Sequence, residues 1–131
     1  MKLFKAPDLP FEPADPRNFV GNARVKRLPL VEGSQPVVVY LVDFEPGGRT
    51  NWHTHSAPQL LLVAEGRGLV QKWGEPVHQI GAGDAICIEP QEKHWHGAAA
   101  GSKMAHFAVN LNLTTQWLEP VSDDQYCASA S

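Results

Sequence analysis

Gly47-Gly48-Arg49-Thr50-Asn51-Trp52-His53-Thr54-His55-Ser56-Ala57-Pro58-Gln59, closed by Gly66, is the stretch that decides the fold. On a strand, residues i and i+2 face the same way with Cα atoms roughly 6.5 to 7 Å apart, so His53 and His55 can converge on one ion. Gln59 follows across Ser56-Ala57-Pro58, where a turn can bring its side-chain carbonyl to the same centre; the amide nitrogen cannot coordinate. A fourth donor must come from elsewhere. The second pair, His94-Trp95-His96, offers His94 or His96 from a neighbouring strand, with both rings again on one face.

Outward from this stretch the apolar runs are short and punctuated: 36–44, 59–63, 69–73, 77–80, 85–88 and 104–113, with an earlier run at 23–30. Such lengths predict strands. Pro46-Gly47-Gly48, Trp73-Gly74-Glu75-Pro76, Gly81-Ala82-Gly83-Asp84 and Gly101-Ser102 supply the turns between them. Pro7, Pro10, Pro13 and Pro16 predict an extended, donor-poor arm that is neither helix nor interior strand. The single helix signal is a capping box from Ser122 to Gln125. Many short strands with Gly and Pro turns predict an all-β protein, an antiparallel sandwich or barrel in one domain. Residues 1–35 form its arm and first strand, 36–113 the barrel, and 114–131 a C-terminal segment with a short helical turn.

Composition narrows the function. The 131 residues carry 11 Lys and Arg against 14 Asp and Glu, a formal charge of −3, and no basic tract to neutralise phosphates or lie on an anionic bilayer. Neither nucleic acid nor membrane is expected as a partner. Two cysteines, Cys87 and Cys127, are too few for a disulfide scaffold, and the N-terminus runs into prolines instead of a signal-peptide core, so a cytoplasmic location is expected.

The spacing from Gly47 through His53, His55 and Gln59 to Gly66 resembles the first motif of the cupin superfamily, with Gln59 where the usual residue is Glu. Gly83 to His94 has the span of the second motif, although Pro90 falls one place late and Ala98 replaces the closing Asn. Within the superfamily, Gly48-Arg49-Thr50, Trp52-His53-Thr54-His55, Gln59, Glu92-Lys93-His94-Trp95-His96-Gly97-Ala98-Ala99, His106, Glu119-Pro120-Val121 and Gln125-Tyr126 are similar to the small bacterial manganese-dependent hydroxynitrile lyases. The resemblance implies a single-domain cupin, an antiparallel jelly-roll β-barrel. It also implies a metal held by His53, His55, Gln59 and His94, with His96 and His106 acting beside it.

Four neutral ligands leave a divalent ion its full charge, which favours Lewis-acid work. Mn(II) is what the resemblance implies; Fe(II), Zn(II) and Ni(II) suit the same donors. On the run 104–112 the even residues are Met104, His106, Ala108, Asn110 and Asn112, and the odd ones Ala105, Phe107, Val109 and Leu111. Hydrophobicity alone would bury the odd face. The cupin resemblance reverses this, aiming the even face into a cavity and leaving the odd face for another sheet layer or a second chain, hence a homodimer or homotetramer. Tyr40, Val42, Phe44, Leu61 and Asn110 are expected to wall the substrate pocket. Trp52 and Trp95 should pack between layers or subunits, Trp73 and Trp117 in the core, and His78 on the surface. The function expected is cleavage or formation of the carbon–carbon bond of an α-hydroxynitrile, with a small hydroxynitrile or aldehyde as substrate. A cupin dioxygenase, a metabolite isomerase and a non-catalytic small-molecule-binding cupin are the alternatives, and oxygen dependence separates the first of these from the lyase.

Overall fold

The computed structural model describes residues 1–29, 33 and 36–129. The long strands are β4 (Val37–Phe44), β7 (Gln59–Lys72) and β11 (Met104–Leu111). Before β4 come β1 (Glu12–Pro13), β2 (Phe19–Val20) and β3 (Ala23–Arg27); between β4 and β7 lie β5 (Arg49–Thr50) and β6 (His53–His55). β8 (His78–Gly81), β9 (Ala85–Ile88) and β10 (His94–Ala98) precede β11, and β12 (Thr115–Trp117) and α1 (Asp123–Ser129) follow it. All the pairings are antiparallel.

The runs 59–63 and 69–73 are one strand, β7, rather than two. Its first half pairs with β11 and β9 and its second half with β10 and β8, so a single chain segment serves both sheets. The crossing is made at Gly66, where φ is +76° and a Cβ would stand 1.8 Å from the Lys103 carbonyl oxygen; only glycine fits. β7 absorbs the bend as a bulge, since the consecutive Ala105 and His106 of β11 face Glu65 and Val63 and leave Ala64 unpaired with β11.

The barrel is open, wrapping 279°, where a closed jelly roll is expected. The sheet path runs β1-β3-β4-β11-β7-β10-β5-β2, and its two end strands do not pair with each other. Both ends are two residues long, and Pro13 and Pro16 remove backbone donors that closure would need. The segment 14–18 crosses the gap instead, tied by Asn51 Nδ2 donating to the Arg17 carbonyl at 2.8 Å. The arm is also not wholly extended, since Ala6–Asp8 form one 3₁₀ turn.

Inside, Phe44, Leu61 and Met104 are 0% exposed, and full burial of such a side chain is worth roughly 1.5 to 3 kcal/mol. On the far side, Trp52, Leu69, Trp95, Val121 and Tyr126 form a second cluster beneath the C-terminal segment. Arg49, buried, clamps that segment by donating to the Val121 carbonyl and pairing with Asp123. The capping box is made, with Gln125 N–H donating to Ser122 Oγ and Ser122 N–H to Gln125 Oε1. Trp73 and Trp117 are not core residues: they are 49% and 37% exposed, Trp73 carried outward at the end of β7 with Lys93 over its ring. His78 is exposed, and both cysteines are free and exposed.

Candidate metal centre

Five histidines meet on the inner wall because β6 and β10 pair with His53 directly opposite His94. The His53 ring lies 4.2 Å from that of His94 and 4.9 Å from that of His55, centroid to centroid. Alternation turns His94 and His96 inward together and sends Trp95 to the far cluster. His106 arrives from β11, its Nε2 2.9 Å from His96 Nδ1. Ring nitrogens of His53, His94 and His96 lie within 4.8 Å of one another, a buried three-histidine site able to hold a divalent ion.

The ring orientations are set from behind. His53 Nδ1–H donates to the Asn51 carbonyl and His94 Nδ1–H to the Glu92 carbonyl, each at 2.8 Å, so both rings direct an Nε2 lone pair at the cavity. His55 Nδ1 is 3.0 Å from Thr115 Oγ1. Its Nε2 stands 3.1 Å from Gln59 Oε1, and Gln59 Nε2 donates to Asn110 Oδ1 at 2.8 Å. Asn110 thereby turns the carbonyl end of Gln59 to the histidines and its NH₂ end away. His94 Nε2 and His96 Nε2 are buried without a hydrogen-bond partner. Unpaired buried lone pairs are costly unless something fills the space between them, and a cation fits that donor set.

Burial keeps these rings neutral. It lowers His94 to about 4, against the opposing pull of the Glu92 carbonyl, and His106 to about 4. His53 and His96 are also pushed well below the ordinary value, first by burial and then by neighbouring imidazoles, and His55 is lowered by burial against the opposing hydrogen bond of Gln59. Neutral imidazole is the form a metal binds and the form that accepts a proton.

The site opens into a cavity of about 930 Å³ lined by His53, His55, Gln59, His96 and His106 together with Val25, Val38, Tyr40, Val42, Ala108 and Asn110. The structure thus brings Tyr40, Val42 and Asn110 to the cavity wall. It places Phe44 and Leu61 elsewhere, packed in the core, because Phe44 wedges against His96 and His106 from beneath and Leu61 is covered by Ile88 and Ala108. Residues that the sequence reading passed over are Thr115, which holds His55, and the arm residues Asp15 and Asn18 at the mouth; Trp117, expected in the core, instead lies with its ring 4.7 Å from that of His53, and Pro13 of the expected arm also lines the mouth. Thr115-Gln116-Trp117 has the alternation of a short strand, and that was the available signal.

A small open β-barrel with histidines massed on its inner wall defines the class of protein. Residues 40–111 match the cupin domain model, and the chain belongs to the cupin family. It is 42% identical over 113 residues to a protein of Granulicella tundricola named (R)-mandelonitrile lyase, spanning 82% of this chain and 85% of that one. It is 36% identical over 86 residues to dimethylsulfoniopropionate lyase DddW of Ruegeria pomeroyi, spanning 63% of this chain and 55% of that protein. A cupin-like protein of Thermotoga maritima superposes with a TM-score of 0.87 at 35% identity, covering 91% of this chain and 92% of the other. Among the described residues no helix is long and apolar enough to cross a membrane.

Proposed function

We propose that the chain is a metal-dependent carbon–carbon lyase acting on α-hydroxynitriles, mandelonitrile going to benzaldehyde and hydrogen cyanide, and that it works as a homo-oligomer. The observation that carries the reading is the buried cluster of His53, His94 and His96, an ion-sized set of imidazole nitrogens whose member His96 is hydrogen-bonded to His106 on the cavity wall, so that a metal set completed by His55 and Gln59 leaves His96 and His106 for proton transfer. The likeness to the Granulicella lyase supports the substrate.

His53, His55 and His94 through Nε2, and Gln59 through Oε1, would hold the ion, Mn(II) by family resemblance. Once bound, the ion supplies Lewis acidity that lowers the pKa of a substrate hydroxyl or polarises an aldehyde carbonyl. The remaining work belongs to the chain. His96 and His106 share one hydrogen bond between neutral rings, so one of the pair presents an unprotonated nitrogen that can accept the hydroxyl proton. As the carbon–carbon bond breaks, the electron pair leaves with cyanide, and the same dyad returns the proton to give hydrogen cyanide. Protons and charge balance without a co-reactant. In the reverse direction the dyad deprotonates hydrogen cyanide, and cyanide adds to the aldehyde. Val25, Val38, Val42 and Ala108 offer an aryl or alkyl group a dry wall, and Tyr40 sits beside them.

The test is elemental analysis of the purified protein with a mandelonitrile cleavage assay before and after chelation. Stoichiometric metal, activity lost on chelation and restored by Mn(II), and no oxygen requirement are the expected results. A metal-free protein of full activity, or turnover that needs dioxygen and follows added iron, would refute the reading. A lyase acting on dimethylsulfoniopropionate is the second reading, favoured by the likeness to DddW, and release of dimethyl sulfide by the loaded protein would select it.

A further inference from the structure

The open side of the barrel is bridged by one short turn. In Asp15-Pro16-Arg17-Asn18 the Asn18 N–H donates to the Asp15 carbonyl at 2.9 Å, proline occupies the second position that favours it, and the Asp15 carboxylate accepts from the Arg17 N–H and guanidinium. Asp15 and Asn18 line the cavity, as do Ala14 before them and Phe19 after them, while the Arg17 side chain is exposed. The turn is tied at both ends, by Ala14 N–H donating to the Ala23 carbonyl of β3 and by β2 pairing with β5. Between these ties, every hydrogen bond from the turn to the rest of the described residues goes to Asn51. Its Nδ2 donates to the Arg17 carbonyl and its backbone N–H to the Asn18 carbonyl, each at 2.8 Å. Nδ2 also donates to the Leu118 carbonyl at 3.3 Å, beside Trp117 of the cavity wall. Asn51 is 2% exposed, and its Oδ1 is buried with no partner. An orphaned acceptor is costly, so this side chain is held there by its donors.

We propose that Asn51 is a positioning residue for substrate: it latches the turn 15–18 across the gap and so makes the open edge of the barrel a wall of the cavity. The inference rests on the cavity and holds for whichever bond is cleaved there. Pro16 and the Asp15 carboxylate keep the turn intact by themselves, so loss of the latch frees it as a hinged unit between Ala14 and Phe19 without unravelling it. The latch is also separable from the metal strand. It is the backbone carbonyl of Asn51, and not its side chain, that orients His53, and the peptide carrying that carbonyl is anchored on its far side by Trp52 N–H donating to the Glu119 carbonyl at 3.0 Å. A change confined to the Asn51 side chain therefore loosens the substrate wall and spares the ligand set.

Asn51→Asp is the deciding variant, since it keeps the shape of the side chain and sets an oxygen in place of the NH₂ group, facing two carbonyls. Asn51→Ala serves if the buried charge prevents folding. Hydrogen–deuterium exchange of the full-length protein, as purified and after Mn(II) loading, should show the segment 14–19 exchanging about tenfold faster in either variant, with β7 unchanged. Titration with benzaldehyde should give a dissociation constant raised about tenfold, the worth of one such hydrogen bond, and mandelonitrile cleavage a KM raised in step while kcat stays within about twofold. Mn(II) affinity, read by chelator competition, should also stay within about twofold, a result that general damage to the site would not give. If benzaldehyde does not bind the wild type, the lyase reading fails, and exchange of 14–19 still decides the latch. Wild-type exchange of 14–19 in a folded variant, or benzaldehyde and Mn(II) affinities that fall together, would overturn the proposal.

Discussion

Acid should weaken the metal-free fold by an amount that the buried histidines set. Burial holds His94 and His106 at about 4, below the ordinary 6.5. With the folded value beneath the unfolded one, the unfolded chain takes up protons first as the pH falls. The stability is therefore intact above about 6.5 and drains away between there and about 4. For a group moved from 6.5 to about 4, the loss between pH 7 and pH 5 is about 2 kcal/mol, so this pair alone removes about 4 kcal/mol. Against a total of roughly 5 to 15 kcal/mol that is a large share, and His53 and His96 act in the same direction. Urea denaturation of chelator-treated protein at pH 7, 6 and 5, with His106→Gln alongside, measures it. The wild type should lose about 4 kcal/mol or more across the range, and the variant about 2 kcal/mol less. Superimposable pH curves for the two proteins, or a flat one for the wild type, would show that these rings do not need burial in neutral form.

Removing the acceptor that orients Gln59, by Asn110→Leu, should weaken metal affinity about 10- to 100-fold, read by competition with a chromophoric chelator; Asn110→Asp, which keeps an acceptor, should retain most of it. His106→Ala should keep the metal and lose most cleavage activity, whereas His94→Ala should lose both, checked by metal content and mandelonitrile turnover on the same samples. Gln59→Glu should hold metal as tightly or more tightly while slowing turnover, because a carboxylate drains Lewis acidity; an unchanged rate would show that ligand charge is not limiting.

Spacing carried the local part of the site. The i, i+2 pairs at His53–His55 and His94–His96 name residues that share a face wherever a strand forms, and that holds before any partner strand is known. What spacing does not carry is depth. Phe44 and Val42 share a face of β4, yet Val42 touches the cavity while Phe44 lies beneath the rings of His96 and His106, which come from two other strands. The same blindness applies to Trp73 and Trp117, whose exposure depends on strand ends. The Gly66 crossing fused two expected strands into one: a short apolar run followed by glycine reads as a strand and a turn, and only the backbone of Lys103 pressed against Gly66 shows that the strand goes on.

The two faces of β11 show how polarity can mislead and then inform. Ranked by hydrophobicity, Phe107, Val109 and Leu111 belong inside and His106, Asn110 and Asn112 outside, yet His106 is 0% exposed and Leu111 is 51% exposed. A chain inverts that order at a cost, since imidazole and amide groups buried without partners are expensive and leucines left in water forgo their burial energy. A cation bound among the imidazoles would offset the inward half of that cost. The inward lone pair of His94 is a donor that such a cation would take up, while the outward rows of Leu60, Leu62, Phe107 and Val109 leave apolar side chains on the opposite face of the wall. Without the cation, the buried Nε2 of His94 keeps a penalty that no hydrogen bond among the described residues relieves. Metal loading should therefore raise the unfolding temperature of this chain, and a melting temperature unchanged by added Mn(II) would refute the assignment.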